Sequence, residues 1–95
     1  MNKYEVLYIL ESELSDEAKG ALVDKFAGVV TGMGGEVTTI DKWGDREYAY
    51  PIDYKTTGYY TLMNFSADSS VPAELERQMR ITDGVVRFMV TRKDK

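Results

Sequence analysis

The order of its patterned segments constrains the fold of this sequence more than any other feature. β-rich runs and runs with apolar residues at helical spacing follow one another, separated by short polar or glycine-containing breaks. The first run, Lys3 to Leu10, is rich in Tyr, Val, Ile and Leu and is too short for a typical helix. The last run alternates, with Val86, Phe88 and Val90 on one face. These two runs are predicted to be the first and last strands.

Two other segments have the spacing of amphipathic helices. The first begins with a capping residue, Ser15, and ends at the break Gly34-Gly35. The second has Pro72 in its first turn and closes near Asp83-Gly84. Their apolar positions are Leu22, Phe26, Val29, Val30 and Met33 in the first segment, and Val71, Leu75 and Met79 in the second. The sequence predicts one helix after the first strand and another before the last.

The stretch between the helices is β-rich on both sides of Gly44 and again over residues 59–65. Either Gly44 and the residue after it form a hairpin turn, or Gly44 marks a bulge in one long, bent strand that ends near Ile52. The long strand is favoured because the polar segment 53–58 is a better turn. Pro51 then requires an edge strand, since proline has no N–H for a ladder hydrogen bond.

The resulting order, βαββαβ, predicts an α+β, ferredoxin-like domain over residues 1–95, with a four-stranded antiparallel sheet and both helices on one face. Strands one and three also carry apolar residues on the opposite, open face, among them Leu7 and Leu62. Arg87 and Met89 are predicted to lie on the same open face. Because an apolar sheet face is rarely left bare, we expect a partner to cover part of it.

The composition argues against catalysis. The 95 residues contain no cysteine and no histidine, which removes thiolate chemistry, the commonest general base and the preferred zinc ligands. The acidic pairs lack calcium-loop spacing, and there is no phosphate-loop motif. We therefore expect a protein that is not an enzyme, with no cofactor, metal or small-molecule substrate. The apolar stretch Val6 to Leu10 is too short for a signal peptide or a membrane span, which predicts a cytoplasmic protein.

Charge is distributed unevenly along the chain. The net charge is −4, but residues 1–76 hold six basic and fourteen acidic side chains, and residues 77–95 hold six basic and two acidic ones. The basic end is therefore suited to an acidic partner. Arg77 and Arg80 lie away from the apolar face of the second helix, where either is able to bind phosphate. For Arg80, an ion pair with Glu76 is an equally good interpretation.

The most specific string in the chain, residues 44–52, reads Gly-Asp-Arg-Glu-Tyr-Ala-Tyr-Pro-Ile. It resembles the signature of the family of the sixth protein of the bacterial small ribosomal subunit. The resemblance extends to further segments on both sides, namely Lys3-Tyr4-Glu5, Lys55, Gly58-Tyr59, Arg80-Ile81 and Arg87-Phe88-Met89-Val90. It covers the chain nearly end to end and favours the long bent strand at Gly44.

The resemblance implies a structural protein of the ribosome, in the cytoplasm, that binds the central domain of small-subunit ribosomal RNA. It implies a partner as well, the basic eighteenth protein of the same subunit. Positions that match basic residues of the family, and are therefore candidates for RNA contact, are Lys3, Arg46, Lys55, Arg80, Arg87 and Arg92. Candidates for contact with the partner protein are Tyr50, Pro51 and Tyr59.

Two alternatives remain open. A ferredoxin-like module that senses a small molecule and dimerises through its sheet would also have apolar residues on both faces, although the sequence contains no glycine-rich ligand loop. A ferredoxin-like enzyme that uses the open sheet is the weaker alternative, because histidine and cysteine are both missing. The open face by itself favours contact with protein over RNA, since the chain lacks the aromatic motif of sheet-face RNA readers.

Overall fold

The computed structural model describes the backbone of residues 2–52 and 55–93, and the side chains of residues 2–44 and 58–93. Its elements are β1 (Asn2–Glu11), α1 (Asp16–Gly32), β2 (Glu36–Ile52), β3 (Lys55–Ala67), α2 (Ser70–Ile81) and β4 (Val85–Arg92). The strands form one sheet in the order β2-β3-β1-β4, and each neighbouring pair is antiparallel. This arrangement confirms the predicted α+β, ferredoxin-like fold.

The core lies between one face of the sheet and the two helices. Alternate residues of β1 and β3 face the helices and are paired across the strands, as Tyr4 is with Phe65 and Val6 with Met63. Tyr4 stacks on Phe65, with ring centroids 5.5 Å apart, and Tyr8 meets Phe26 of α1 edge to face at 5.3 Å. Aromatic contacts of this kind add to the stabilisation from buried apolar area.

Helix α1 begins where the sequence predicts. The Ser15 hydroxyl accepts a hydrogen bond from the Ala18 amide at 3.1 Å, and Gly34, with φ of 84°, lies just beyond the helix C-terminus. The buried positions of α1 are Lys19, Val23, Phe26 and Val30. Met33, which the apolar spacing had included in the helix, lies just beyond the end of α1, and its side chain is exposed. Lys19 was not predicted to be buried, because a lysine in a helix is normally assigned to solvent.

Helix α2 has the predicted apolar face. Val71, Leu75 and Met79 are all buried and belong to the same core as the residues of α1. Pro72 lies in the first turn, where its missing N–H costs no helical hydrogen bond. Among the described residues, no helix has both the length and the apolar character that a membrane span requires.

Strand β2 is one long strand, as predicted, and Gly44 marks a bulge in it. The pairing of β2 with β3 shifts between Lys42 and Gly44, so that Trp43 is the additional residue. Gly44 has φ of 84°, a conformation that glycine adopts without steric cost. The strand lies at one edge of the sheet, which agrees with the requirement that Pro51 imposes.

One part of the predicted core is wrong. The sequence placed Val86, Phe88 and Val90 on the helix side of β4, but the pairing of β1 with β4 shifts between Ile9 and Leu10, so that Leu10 is opposite Val85. Val85, Phe88 and Val90 are therefore the residues that pack against the core. The sequence gives no sign of this bulge, because Val85 and Val86 are chemically identical.

Candidate functional site

The sheet face away from the helices carries successive rows of residues, three with one residue from each strand and one with residues from three strands. In strand order from β2 to β4, the rows are Gly44, Tyr60, Ile9 and Arg87; Asp41, Leu62, Leu7 and Met89; Thr39, Asn64, Glu5 and Thr91; and Glu36, Ser66 and Lys3. The first two rows are mainly apolar in the middle, and the other two are mainly polar. The open face thus combines an apolar centre with charged residues at its margins.

The apolar centre contains a shallow groove between β1 and β4. It has a volume of about 220 Å³, and its lining consists of Leu7, Ile9, Arg87, Phe88 and Met89. Met89 is 61% exposed. Arg87 is also exposed, lies on the open face as predicted, and has no ion pair or hydrogen bond with any residue whose side chain the structure describes. A cation on an apolar margin, without a partner among the described side chains, is suited to binding an external anion.

Lys3 lies at the polar end of the same face. It is exposed and lines a second shallow depression of about 170 Å³ together with Asn64, Ser66 and Lys93. The Lys93 ammonium lies 3.7 Å from the Glu5 carboxylate, which partly neutralises its charge. Exposed ion pairs contribute little to stability and are easily exchanged for a phosphate. Lys3 has no such pair with the described side chains.

Arg80 and Arg92 are not on the open face. Arg92 is opposite Tyr4 and therefore on the helix side of the sheet, where it donates a hydrogen bond to the Asn2 side-chain oxygen at 3.0 Å. Arg80 is on α2, with its guanidinium 4.0 Å from Glu76 and 5.9 Å from the centre of the Phe88 ring. The predicted ion pair of Arg80 with Glu76 is thus present, at the longest distance that still counts as an ion pair. These two exposed arginines therefore lie on the helix side of the sheet, apart from Lys3 and Arg87.

Arg77, the neighbouring arginine on α2, is held by Glu74. Its Nε and one terminal nitrogen donate hydrogen bonds to the two carboxylate oxygens at 2.9 and 2.7 Å. These bonds, with a third from Gln78, lower the pKa of Glu74 to about 2. The same pair raises the pKa of Arg77. Arg77 is therefore less available to an external anion than Arg87.

The residues predicted to contact a partner protein are only partly within the described side chains. Tyr59 lies on β3, opposite Leu10, and packs half-buried against the core on the helix side. The Lys19 ammonium lies 4.8 Å from the centre of the Tyr59 ring, an interaction between a cation and an aromatic face. The side chains of Tyr50 and Pro51, and those of the RNA candidates Arg46 and Lys55, lie outside the described residues.

An aromatic group on the open face was missed by the sequence reasoning. Trp43 of β2 and Tyr60 of β3 stack with their ring centroids 6.2 Å apart and their planes 9° from parallel. The indole N–H of Trp43 donates a hydrogen bond to the Asp41 carboxylate at 3.2 Å. The bulge at Gly44 brings the two rings to the same face. The signal available in the sequence was an aspartate two residues before a tryptophan that is directly followed by a bulge glycine.

The acidic side chains of the described residues do not form a metal site. The described residues contain no group of three or more acidic side chains close enough to hold a metal ion. Among the groups that the structure describes, the large rise in pKa is that of Tyr8, which is buried in the core rather than placed at a surface. The described part of the open face is a surface with cations at two of its margins and an aromatic pair at a third.

The fold is that of a ferredoxin-like domain in which the helices leave one face of the four-stranded sheet open. Comparison with known proteins identifies the family within this fold class, since the sequence model of the family described as ribosomal protein S6 matches residues 3–92. The chain belongs to the ribosomal protein S6 family. Because proteins of the small ribosomal subunit are components of cytoplasmic ribosomes, the predicted localisation is confirmed.

Individual relatives agree with this assignment. The small ribosomal subunit protein bS6 of Clostridium novyi is 52% identical over 95 residues, and that of Thermoanaerobacter pseudethanolicus is 48% identical over 95 residues. In both cases all of this chain and all of the relative are covered. The crystal structure of 30S ribosomal protein S6 from Thermotoga maritima superposes with a TM-score of 0.92 at 26% identity, covering 97% of this chain and 87% of that one. The resemblance found in residues 44–52 is thereby confirmed as a family relationship.

Proposed function

We propose that this chain is a non-enzymatic, single-domain structural protein that binds the central domain of small-subunit ribosomal RNA together with the basic eighteenth protein of that subunit. The observation that carries the proposal is the position of Lys3 and Arg87. Both are exposed on the open face, and neither has an ion pair with the described side chains. Phosphate contacts from such cations supply most of the affinity of proteins for nucleic acid.

The charge of the whole chain explains why a partner protein is part of the proposal. A net charge of −4 repels a phosphate backbone, and the cations on the open face are too few to overcome this alone. A basic partner bound to the acidic part of the chain removes that repulsion and adds phosphate contacts. In this arrangement Lys3 and Arg87 contact RNA from the open face, Arg80 and Arg92 do so from the helix side of the sheet, and Arg46 and Lys55 add further contacts.

The test is to measure binding of the protein to a central-domain RNA fragment by filter retention, with and without the eighteenth small-subunit protein. We expect binding at micromolar protein only when the partner is present, because the acidic chain alone is repelled. Strong binding of this chain alone would contradict the role of the partner. Failure to bind in both conditions would contradict the proposal and favour a module that dimerises through its sheet to sense a small molecule.

A further inference from the structure

Strand β4 forms an edge of the sheet, where it pairs with β1 and has no strand on its other side among the described residues. The Lys93 amide donates a hydrogen bond to the Lys3 carbonyl at 2.8 Å, so the backbone groups of Lys93 point toward β1. Because this direction alternates along an antiparallel strand, residues an odd number of positions before Lys93 point the other way. The N–H and C=O groups of Phe88 and Val90 therefore point outward from the edge.

The apolar groove of the open face reaches the same edge. Phe88 lines the groove, although it packs against the core on the helix side. The other lining residues are Leu7 and Ile9 of β1 and Arg87 and Met89 of β4. An extended peptide added beside β4 would form hydrogen bonds with the outward backbone groups and place alternate side chains over this groove.

The charges of β4 favour an acidic peptide. The strand and the residue that follows it contain three cations, Arg87, Arg92 and Lys93, and no carboxylate. Arg92 donates a hydrogen bond to Asn2, and the Lys93 ammonium lies near Glu5. Arg87, in contrast, has no ion pair or hydrogen bond with any described side chain. The guanidinium beside the groove is therefore available to an external carboxylate.

The open face as a whole has balanced charges, so their positions decide which ligand fits. The strand register assigns to this face the cations Lys3, Arg46, Arg87 and Lys93 and the carboxylates Glu5, Glu11, Glu36 and Asp41. Two of the carboxylates belong to β2, at the far edge of the sheet. Glu5 is near Lys93, and Glu11 has interactions of its own but no ion pair with Arg87. No carboxylate of this face thus neutralises Arg87.

We propose that the β4 edge and its groove bind an extended acidic segment of another protein by strand addition. The backbone of the segment pairs with Phe88 and Val90. An apolar side chain lies over Leu7 and Met89, and an acidic side chain two positions away meets Arg87. The main-chain hydrogen bonds supply affinity, and the groove with its cation selects the sequence.

Two other occupants fit this edge less well. A second copy of the chain, paired through its own β4, would bring four arginines into one short ladder, and like charges across a ladder are destabilising. A nucleotide would find no aromatic ring for stacking, because the lining residues on the open face are Leu7, Ile9, Arg87 and Met89. A peptide uses the charge, the groove and the outward backbone groups together.

The segment would compete with RNA for one side chain. Arg87 is a proposed RNA contact, so an acidic segment bound at β4 would exclude a phosphate from the same guanidinium. This consequence rests on the proposed function. The site itself does not, because it requires only the edge of β4, the groove and Arg87.

The experiment titrates the full chain, labelled with nitrogen-15, with the blocked heptapeptide Thr-Glu-Thr-Leu-Thr-Glu-Thr, whose symmetry fits either strand direction. We expect saturable shifts of amide signals along β4. Near saturation, hydrogen exchange should slow at least about threefold at the amides of Phe88 and Val90. The amides of Arg87 and Met89 already point toward β1 and should keep their exchange rates.

Two control peptides separate strand addition from simple attraction of charges. One has lysine in place of both glutamates, which reverses the charge. The other carries N-methyl groups on the two threonines that flank leucine, which removes the backbone donors but keeps the charge and the apolar side chain. Each should bind at least about threefold more weakly than the parent peptide.

Two variants of equal charge test the role of Arg87. Arg87→Gln should weaken binding of the parent peptide at least about fourfold. Arg77→Gln removes the same charge from an arginine that Glu74 already holds, and should leave affinity within about 1.5-fold. Met89→Thr keeps a strand-forming residue but reduces the apolar contact, and should weaken binding about twofold or more. Circular dichroism checks that each variant is folded.

Several results would overturn the inference. Equal binding of the N-methylated peptide would exclude strand addition, and equal losses in Arg87→Gln and Arg77→Gln would reduce the effect to general charge attraction. Slower exchange at Phe88 and Val90 with an octamer of adenosine ribonucleotides, but not with the peptide, would assign the groove to RNA. Protection that rises with protein concentration alone would assign the edge to a second copy of this chain. None of these titrations contains central-domain RNA or the basic partner, so this inference and the proposed function fail separately.

Discussion

At the scale of single residues, the core contains two hydroxyl groups without a hydrogen-bond partner among the described residues. They belong to Tyr8 and Thr61, which are directly opposite each other on β1 and β3, on the helix side of the sheet. Burial, with smaller contributions from Tyr59 and Asp24, raises the pKa of Tyr8 well above that of an ordinary tyrosine. A buried polar group without a partner costs stability, and its ionised form costs more.

Tyr8 should therefore make the stability of the protein sensitive to alkaline pH. Its pKa is raised in the folded state, so the contribution of the neutral phenol is complete below the ordinary tyrosine pKa of about 10 and is lost as pH rises above it. We expect urea midpoints to fall more steeply above this pH for the wild type than for Tyr8→Phe. At pH 7 the variant should be as stable as the wild type or more stable by up to ~1 kcal/mol. Parallel pH profiles would contradict this account of Tyr8.

Glu74 is the second residue whose titration is predictable. Hydrogen bonds from Arg77, and then from Gln78, lower its pKa to about 2. A lowered pKa means that the favourable contribution is present above the ordinary value of 4.5 and is lost as pH falls toward 2. Carbon NMR of the Glu74 carboxyl should give a midpoint near that value, and Arg77→Gln should move it upward. An unchanged midpoint in Arg77→Gln would show that the pair does not form in solution.

At the scale of elements, the bulge of β2 depends on the conformation of Gly44. Gly44 has φ of 84°, and a Cβ added there would meet nothing within 4 Å. Gly28, in the middle of α1, also has free space around it but lies in a helix. The two glycines therefore form a matched pair in which only the backbone conformation differs.

Alanine substitutions at these two positions should have opposite effects on the free energy of unfolding. Gly44→Ala should destabilise the protein by about 1–2 kcal/mol, because a side chain disfavours positive φ. Gly28→Ala should stabilise it by about 0.5–1 kcal/mol, because alanine is the better helix former. Urea unfolding measures both. If Gly44→Ala were neutral, the backbone at the bulge would not be in the conformation described.

The same elements show what the sequence was able to predict. Strand and helix order, the Ser15 cap, the apolar face of α2 and the bulge at Gly44 all have local signals in residue type or spacing. The bulge of β4 has no such local signal, because Val85 and Val86 fit the alternating apolar pattern of the strand equally well. The register shift is set by pairing with β1, which is a property of the sheet rather than of the strand.

The candidate site was predictable to a similar extent. Periodicity placed Arg87 on the open face, and this is where the structure has it. The contact between Trp43, Tyr60 and Asp41 was missed, because it joins two strands through a residue that the bulge inserts. The burial of Lys19 was missed because its aromatic partner, Tyr59, is forty residues away in sequence. Contacts that depend on register are not visible in the periodicity of a single segment.

At the scale of the whole molecule, the fold brings charged residues that are far apart in the sequence onto one face of the sheet. Lys3 from the first strand and Arg87 from the last reach the same open face, because β1 and β4 are neighbours in the sheet. Carboxylates of β2 lie at the opposite edge. The proposed contact of Lys3 and Arg87 with a phosphate backbone, in a complex that includes a basic partner protein, is the central claim about this member of the ribosomal protein S6 family.

The most direct test of that claim is the salt dependence of the complex between this chain, the basic eighteenth protein and a central-domain RNA fragment. The logarithm of the binding constant is plotted against the logarithm of salt concentration for the wild type, Arg87→Gln and Arg77→Gln. We expect Arg87→Gln to reduce the slope by about 1, since one phosphate contact is lost. Arg77→Gln, whose arginine is already held by Glu74, should leave it unchanged. Equal slopes for the wild type and Arg87→Gln would contradict the assignment of the open face to RNA.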